Sequence, residues 1–135
     1  MMRIFKYLFL ISFAFTITVS SCNKDGSSKS KKDILTSHQW KYLALKINGV
    51  TETLLACEMD DFVRFEVTGT YTYNPMTVTC SNYDVIENGV WSMSSDEKSI
   101  TVDGTTSQIL ELTDSRLVVK TPDGTDYTES TYVAF

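Results

Sequence analysis

The sequence predicts an all-β protein, a small antiparallel up-and-down β-barrel of about eight strands with a short N-terminal helix. Short stretches of alternating apolar and polar residues are separated by turn residues about every 8–12 positions, as in antiparallel sandwiches and barrels. No helical period of useful length interrupts them. Consecutive strands with short links favour a meander, and about eight strands is the number at which a meander closes around packed side chains or one small ligand.

Residues 1–21 have the features of a secretory signal peptide and not of the fold. Arg3 and Lys6 precede an apolar run from Tyr7 to Val19, which is followed by two serines. The apolar run is shorter than the ~20 residues that a membrane-spanning helix needs. We therefore expect export of the chain and removal of these residues.

Cys22 stands at a position that fits a lipid anchor. The run Val19-Ser20-Ser21-Cys22 resembles a bacterial lipoprotein box, with Val19 in place of the usual Leu. The resemblance implies that Cys22 becomes an N-terminus acylated with palmitate-type chains, and several such chains give stable anchoring. Residues 22–32 would form a polar tether, and residues 33–135 the folded domain. We expect a lipid-anchored protein of the cell envelope, in the outer membrane. The sequence does not indicate which leaflet carries the anchor.

The other two cysteines predict a disulfide. With Cys22 acylated, Cys57 and Cys80 remain as an even pair in an oxidising environment, where such a pair normally closes. Plain signal cleavage would instead leave Cys22 as a reactive free thiol. A metal site built from these cysteines and His38 lacks CxxC or HxxxH spacing. We therefore predict a Cys57–Cys80 disulfide, and neither a metal nor another cofactor.

The folded domain begins with a short helix and a hairpin. Residues 32–39 predict a helix that docks Leu35 beside the first strand as a plug. Residues 40–47 form the first strand, which ends at the strong hairpin signal Asn48-Gly49. Residues 51–55 are its expected short partner strand.

The next hairpin, between the two cysteines, determines which side chains face the interior. Val63 and Phe65 recur with the period of a strand, and a second strand carries Tyr71 and Tyr73 on one face. A two-residue loop would set charged residues opposite the tyrosines. A three-residue loop at residues 67–69 pairs Phe65 with Tyr71 and Val63 with Tyr73. We predict this second register, because it keeps the apolar side chains on one face.

The remaining strands follow the same pattern, after a less regular stretch at residues 76–83. The predicted strands are residues 89–93, 99–102, 107–112, 116–120 and 126–135. The last three turns are expected at Asp103-Gly104, residues 113–115 and Pro122-Asp123-Gly124.

Several sequence features follow one another in a characteristic order along residues 34–120. They are a tryptophan after a short helix, a cysteine before two aspartates, an aromatic hairpin, a second cysteine, a Gly-Val-Trp triplet and two apolar strands: Trp40, Cys57, Asp60, Asp61, Phe65, Gly69, Thr70, Tyr71, Cys80, Gly89, Val90, Trp91, residues 109–113 and residues 117–119. This order resembles the lipocalin-like domains of bacterial envelope lipoproteins. The first strand departs from the usual Gly-x-Trp, since Ser37-His38-Gln39-Trp40 stands there. The resemblance implies a small calycin-type barrel on a lipid tether and does not indicate a ligand.

Charge and motif content argue against several classes of function. Residues 1–21 contain two of the twelve basic residues and none of the seventeen acidic ones, so the rest of the chain has a formal charge of −7. This acidic charge argues against binding to nucleic acid.

Asp60-Asp61 cannot act as a glycosidase pair, because neighbours on a strand point to opposite faces. We expect a solvated strand entry or a cap there. A calcium site that adds Glu58 lacks EF-hand spacing. His38 has no G-x-S-x-G partner and fits a helix C-terminus, so we predict no enzyme.

Aromatic residues are the remaining candidates for a site: Trp40, Phe65, Tyr71, Tyr73 and Trp91. On the inner face of a barrel they would line a pocket for a small apolar ligand, or they would fill a core by packing on one another. The first interpretation predicts a membrane-anchored, non-enzymatic, ligand-binding lipoprotein. The second predicts a protein-interaction module, an inhibitor or accessory subunit at the cell envelope. Internal volume distinguishes the two, and we expect a monomer in both.

Overall fold

The structure is a computed structural model that describes residues 29–78, 80–81 and 85–135. Its elements in chain order are α1 (Lys31–Ser37), β1 (Gln39–Ile47), β2 (Val50–Glu52), α2 (Ala56–Met59), β3 (Phe62–Phe65), β4 (Thr70–Asn74), β5 (Glu87–Met93), β6 (Ser99–Val102), β7 (Thr105–Leu112), β8 (Arg116–Asp123) and β9 (Asp126–Ala134). The predicted signal peptide and Cys22 lie outside the described residues, as does most of the tether. None of the helices described here is long and apolar enough to cross a bilayer.

Eight of the strands form a closed antiparallel barrel. From β3 to β9 each strand pairs with the next along the chain, and β9 returns to pair with β1 between Trp40 and Ile47. The other edge of β1 is shared, because its first residues pair with β3 and its last residues pair with the short β2. The predicted up-and-down barrel with a short N-terminal helix is confirmed.

The hairpin of β3 and β4 has the predicted register. Phe65 lies opposite Tyr71, and Val63 lies opposite Tyr73. Gly69 has a φ of 89°, and its N–H donates to the Glu66 carbonyl at 3.0 Å. The turn therefore needs the left-handed conformation that glycine adopts without strain.

Two local predictions are wrong. The predicted turn at Pro122 lies two residues later, because β8 and β9 stay paired as far as Asp123 and Asp126, and Gly124 with a φ of 61° makes the turn. The predicted strand at residues 51–55 is β2, which ends at Glu52, and α2 follows it. A helix of four residues is too short to produce a hydrophobic period, so the sequence pattern could not indicate α2.

The helix α1 closes one end of the barrel. Lys31 bonds to Glu97 in the turn between β5 and β6, and Lys29 bonds to Asp114 in the turn between β7 and β8. Leu35 is fully buried beneath the helix, and the indole N–H of the fully buried Trp40 donates to the Leu35 carbonyl at 2.8 Å. The core lies at this end: Leu35, Trp40, Phe65, Trp91, Ile100, Ile109, Leu112, Leu117 and Val119. The connections from β1 to β2, β6 to β7 and β8 to β9 lie at the opposite end, which we call the open end.

Candidate functional site

A cavity of about 660 Å³ occupies the part of the barrel away from α1. Its floor is the upper surface of the core, formed by Trp40, Phe65, Ile100, Leu117 and Val119. These inward positions follow from strand alternation, which sends every second side chain to the interior. The volume falls within the range of sites that enclose one small molecule.

Four of the five aromatic residues singled out in the sequence line this cavity: Trp40, Phe65, Tyr71 and Tyr73. The fifth, Trp91, belongs to the core and is absent from the cavity lining. Its ring meets Phe65 edge-on at a centroid distance of 5.4 Å, and its indole N–H donates to the Glu66 carbonyl at 3.0 Å. That these residues bind a ligand stays a prediction.

Two further tyrosines, which the sequence reasoning missed, face each other on β1 and β9. Tyr42 and Tyr132 are paired across the ladder, and their rings stack at a centroid distance of 5.1 Å. Burial is the main cause that raises the pKa of both phenols, that of Tyr132 to about 12, and Glu58 adds to the effect on Tyr42. Both phenols therefore stay protonated at neutral pH. The period-two spacing of Trp40 and Tyr42 was the available signal.

Asp60 and Asp61 have different environments. Asp60 ends α2 and accepts hydrogen bonds from the N–H groups of Thr77 and Val78, at 3.3 and 3.0 Å. Asp61 is 8% exposed, lines the cavity and accepts a hydrogen bond from the Tyr73 hydroxyl. The expected solvated strand entry or cap thus describes Asp60 but is wrong for Asp61. The reason is strand parity, which puts Asp61 on the inward face with Val63.

Tyr71 is held by a hydrogen bond that crosses over Gly89. Its hydroxyl donates to the Asp103 carboxylate, which also accepts from the Val90 N–H at 2.9 Å. The bond to Asp103 is the main cause that raises the pKa of Tyr71 to about 12, and the same bond lowers the pKa of Asp103. A Cβ on Gly89 would lie 2.5 Å from both carboxylate oxygens and from the Tyr71 ring. Glycine is therefore required for this contact.

The predicted disulfide is confirmed and lies at the open end. Cys57 in α2 is bonded to Cys80, and their Cα atoms are 5.2 Å apart. Cys57 is buried, whereas Cys80 lines the cavity. The bond joins the segment before β3 to the segment after β4, so it ties two borders of the opening together.

His38 lies at the C-terminal end of α1, as expected, and outside the cavity lining. Its Nε2 is 3.5 Å from Asp114, and its ring meets Trp40 edge-on. In the described part of the chain, no three histidine, cysteine or acidic residues are grouped as a metal site requires. The described lining of the cavity offers apolar, phenolic, aliphatic hydroxyl and carboxylate contacts.

Comparison with models of protein families gives a match to this chain. A family model described as a lipocalin-like domain matches residues 36–119, which is more than half of the chain. The matched region runs from the end of α1 into β8 and includes most of the cavity lining. No curated protein matches the chain.

Proposed function

Because the chain belongs to the lipocalin-like domain family, we propose that it is a non-enzymatic binding protein that holds one small apolar ligand in its barrel. The observation that carries the proposal is the cavity of about 660 Å³ above an aromatic and aliphatic floor. Apolar surface of this kind gains free energy when a ligand removes it from water. Polar groups nearer the opening would orient that ligand.

The alternative, a protein-interaction module, depended on a filled core. The lower half of the barrel is filled, but the upper half contains space for a ligand. Internal volume therefore favours ligand binding over the interaction module.

Binding of the neutral apolar dye Nile red to the purified full chain tests the proposal. We expect saturable dye fluorescence with one site per chain. The matched control is Val102→Trp, because Val102 lines the cavity and a larger ring there would occupy the ligand volume. Dye binding that is absent, or unchanged in the folded Val102→Trp variant, would contradict binding inside the barrel.

We also propose that the protein is anchored in the outer membrane through acylated Cys22. The run Val19-Ser20-Ser21-Cys22 supports acylation, and the Cys57–Cys80 disulfide is typical of an exported protein. Bacterial cells that express the chain and are fed an alkyne analogue of palmitate should label it, whereas the Cys22→Ala variant should not be labelled. Label that persists in Cys22→Ala would overturn the assignment, and fractionation of the labelled membranes tests the location.

A further inference from the structure

The connecting segments at the open end of the barrel contain acidic residues and no basic ones. These segments, which we call the mouth loops, are residues 48–49, 53–61, 75–78, 80–81, 85–86, 103–104 and 124–125. Their charged residues are Glu58, Asp60, Asp61 and Asp103. The mouth loops therefore give the entrance of the cavity a negative potential, which raises the local concentration of cations.

Two of the acidic mouth-loop residues also form part of the cavity wall. Glu58 accepts a hydrogen bond from the Leu55 N–H at 2.7 Å, which holds its carboxylate at the entrance, near Tyr42. Asp61 is buried below the entrance beside Tyr73. Each carboxylate is thus adjacent to a phenol that faces the same cavity.

Glu87, at the start of β5, provides a third carboxylate in the lining, and its charge acts on Tyr71. Neither Glu58 nor Glu87 forms an ion pair with any residue of the described part of the chain. By contrast, Glu111 on the barrel exterior pairs with Arg116 at 3.2 Å. None of the described residues that line the cavity is a lysine, arginine or histidine. The described lining therefore offers no basic residue to offset the charges of Glu58 and Glu87.

We propose that the barrel selects an organic cation with an apolar body, such as an amphiphilic amine; this inference rests on the proposed ligand-binding function. The apolar body would lie on the floor beside Phe65, Leu117 and Val119. The cationic group would lie among the carboxylates and the faces of the tyrosines, where charge attraction and cation–π contacts both favour it. An organic cation fits better than a metal ion, because the carboxylates are spread around the wall and do not form a metal-binding group within the described residues.

Competition for Nile red among ligands that differ only in their head group tests the inference. Decylammonium, decanol and decanoate share one alkyl chain and carry a positive, a neutral and a negative head. On the full chain we expect decylammonium to bind at least about tenfold more tightly than decanoate, with decanol between them. The preference for decylammonium should decrease as salt is added, because salt ions screen the negative charges at the mouth loops.

The double variant Glu58→Gln, Glu87→Gln identifies the source of the preference. Glutamine keeps the acceptor for the Leu55 N–H and removes only the charge. We expect the variant to lose most of the preference for decylammonium and to bind Nile red and decanol as the wild type does. Glu111→Gln, which removes a charge from the exterior, is the matched control and should keep the preference.

The outcomes separate this inference from the function on which it rests. If Nile red does not bind the wild-type chain, the ligand-binding proposal fails. If the dye binds but the three head groups compete equally, ligand binding stands and cation selection is overturned. Cation selection by the cavity wall is also overturned if the preference persists unchanged in the double glutamine variant.

Discussion

Gly89 leaves room for the hydrogen bond between Tyr71 and Asp103. Any side chain at this position meets the carboxylate and the ring at 2.5 Å, so one of them must move. We expect Gly89→Ala to lower the free energy of unfolding by about 1–3 kcal/mol, the usual cost of overpacking. Urea denaturation measures this loss. Ser92→Ala, at an exposed site on the same strand, is the control, and an equal effect of both variants would contradict the role of Gly89.

Tyr132 should make the free energy of unfolding depend on pH in the alkaline range. Its pKa is about 12 in the folded barrel, against about 10 in an unfolded chain. Below about pH 10 the phenol is protonated in both states, so its contribution to stability is fully present. Between about pH 10 and 12 the unfolded state loses the proton first, so stability falls as pH rises, by up to about 1.4 kcal/mol per pH unit.

Denaturation at several pH values between about 9 and 11 tests this dependence. We expect Tyr132→Phe to flatten the decline, because the variant has no phenol to ionise. Tyr127→Phe changes a residue outside the cavity lining and should keep the wild-type decline. Identical pH profiles for wild type and Tyr132→Phe would show that this phenol does not control the alkaline limit.

Strand parity decided which site residues could be predicted from the sequence. The period of two placed Phe65, Tyr71 and Tyr73 on the inner face, and the structure has them there. The same parity places the Asp61 side chain on the inner face. The adjacent acidic residue Asp60 instead led to the prediction that both carboxylates are exposed to solvent. The position of Trp91 below the cavity could not be predicted, because periodicity gives the face of a strand and not the depth along the barrel axis.

The helix α1 acts as a plug for the closed end of the barrel. Leu35 is fully buried between the helix and the core, so its removal would leave a cavity. We expect Leu35→Ala to cost about 2–5 kcal/mol of unfolding free energy, in line with other buried leucines. Ser37→Ala, at an exposed site of the same helix, should cost little. If the two variants are equally stable in denaturant titrations, the helix does not seal the barrel.

The disulfide should contribute stability from the open end. It closes a loop between positions 23 residues apart, for which the chain-entropy estimate is about 3.5 kcal/mol. The Cys57→Ser, Cys80→Ser double variant should lose about this amount in urea denaturation. The reductant dithiothreitol should destabilise the wild type and leave the double variant unchanged. A wild type that is indifferent to reductant would contradict a stabilising role for the bond.

The elements themselves were predictable where turn chemistry is strong. Asn48 and Gly49 have φ values of 50° and 83°, as their hairpin signal requires, and Asp103-Gly104 behaves likewise. The segment 53–61 was not predictable, because the four residues of α2 are too few to show a hydrophobic period, although Ala56, Glu58 and Met59 favour a helix. The disulfide joins this segment to the residues after β4. Tertiary contacts determine the local structure there.

Closure of the sheet into a barrel was predictable from the sequence, but the presence of a cavity inside it was not. Strand number indicated a barrel, yet the sequence alone did not tell whether its interior was full. The answer depends on side-chain size at inward positions near the mouth, where Ser107, Thr121 and Ser130 line the wall. Short side chains there leave space that the large rings of the lower half do not fill. The free volume depends on the inward side chains of all the strands together, so no single sequence motif indicates it.

The position of the chain entry also predicts an orientation at the membrane. Lys29 is bonded to Asp114 at the closed end, so an anchor at Cys22 would join the barrel at the end opposite the mouth loops. Anionic lipid would also repel the acidic mouth loops, whereas the closed end carries α1 lysines beside its acidic turns. We therefore expect the cavity to open away from the bilayer and to take its ligand from solution.

Lipid quenching measures this orientation directly. The acylated protein would carry one fluorophore, either at Ser95→Cys in a closed-end turn or at Thr125→Cys in a mouth loop, on vesicles that contain phosphatidylglycerol and spin-labelled lipid. We expect stronger quenching at position 95 than at position 125, and a smaller difference at high salt, where charge repulsion is screened. Unacylated Cys22→Ala protein should show neither signal. Equal quenching at the two positions would mean that the barrel turns freely on its tether, and stronger quenching at position 125 would place the mouth loops against the lipid.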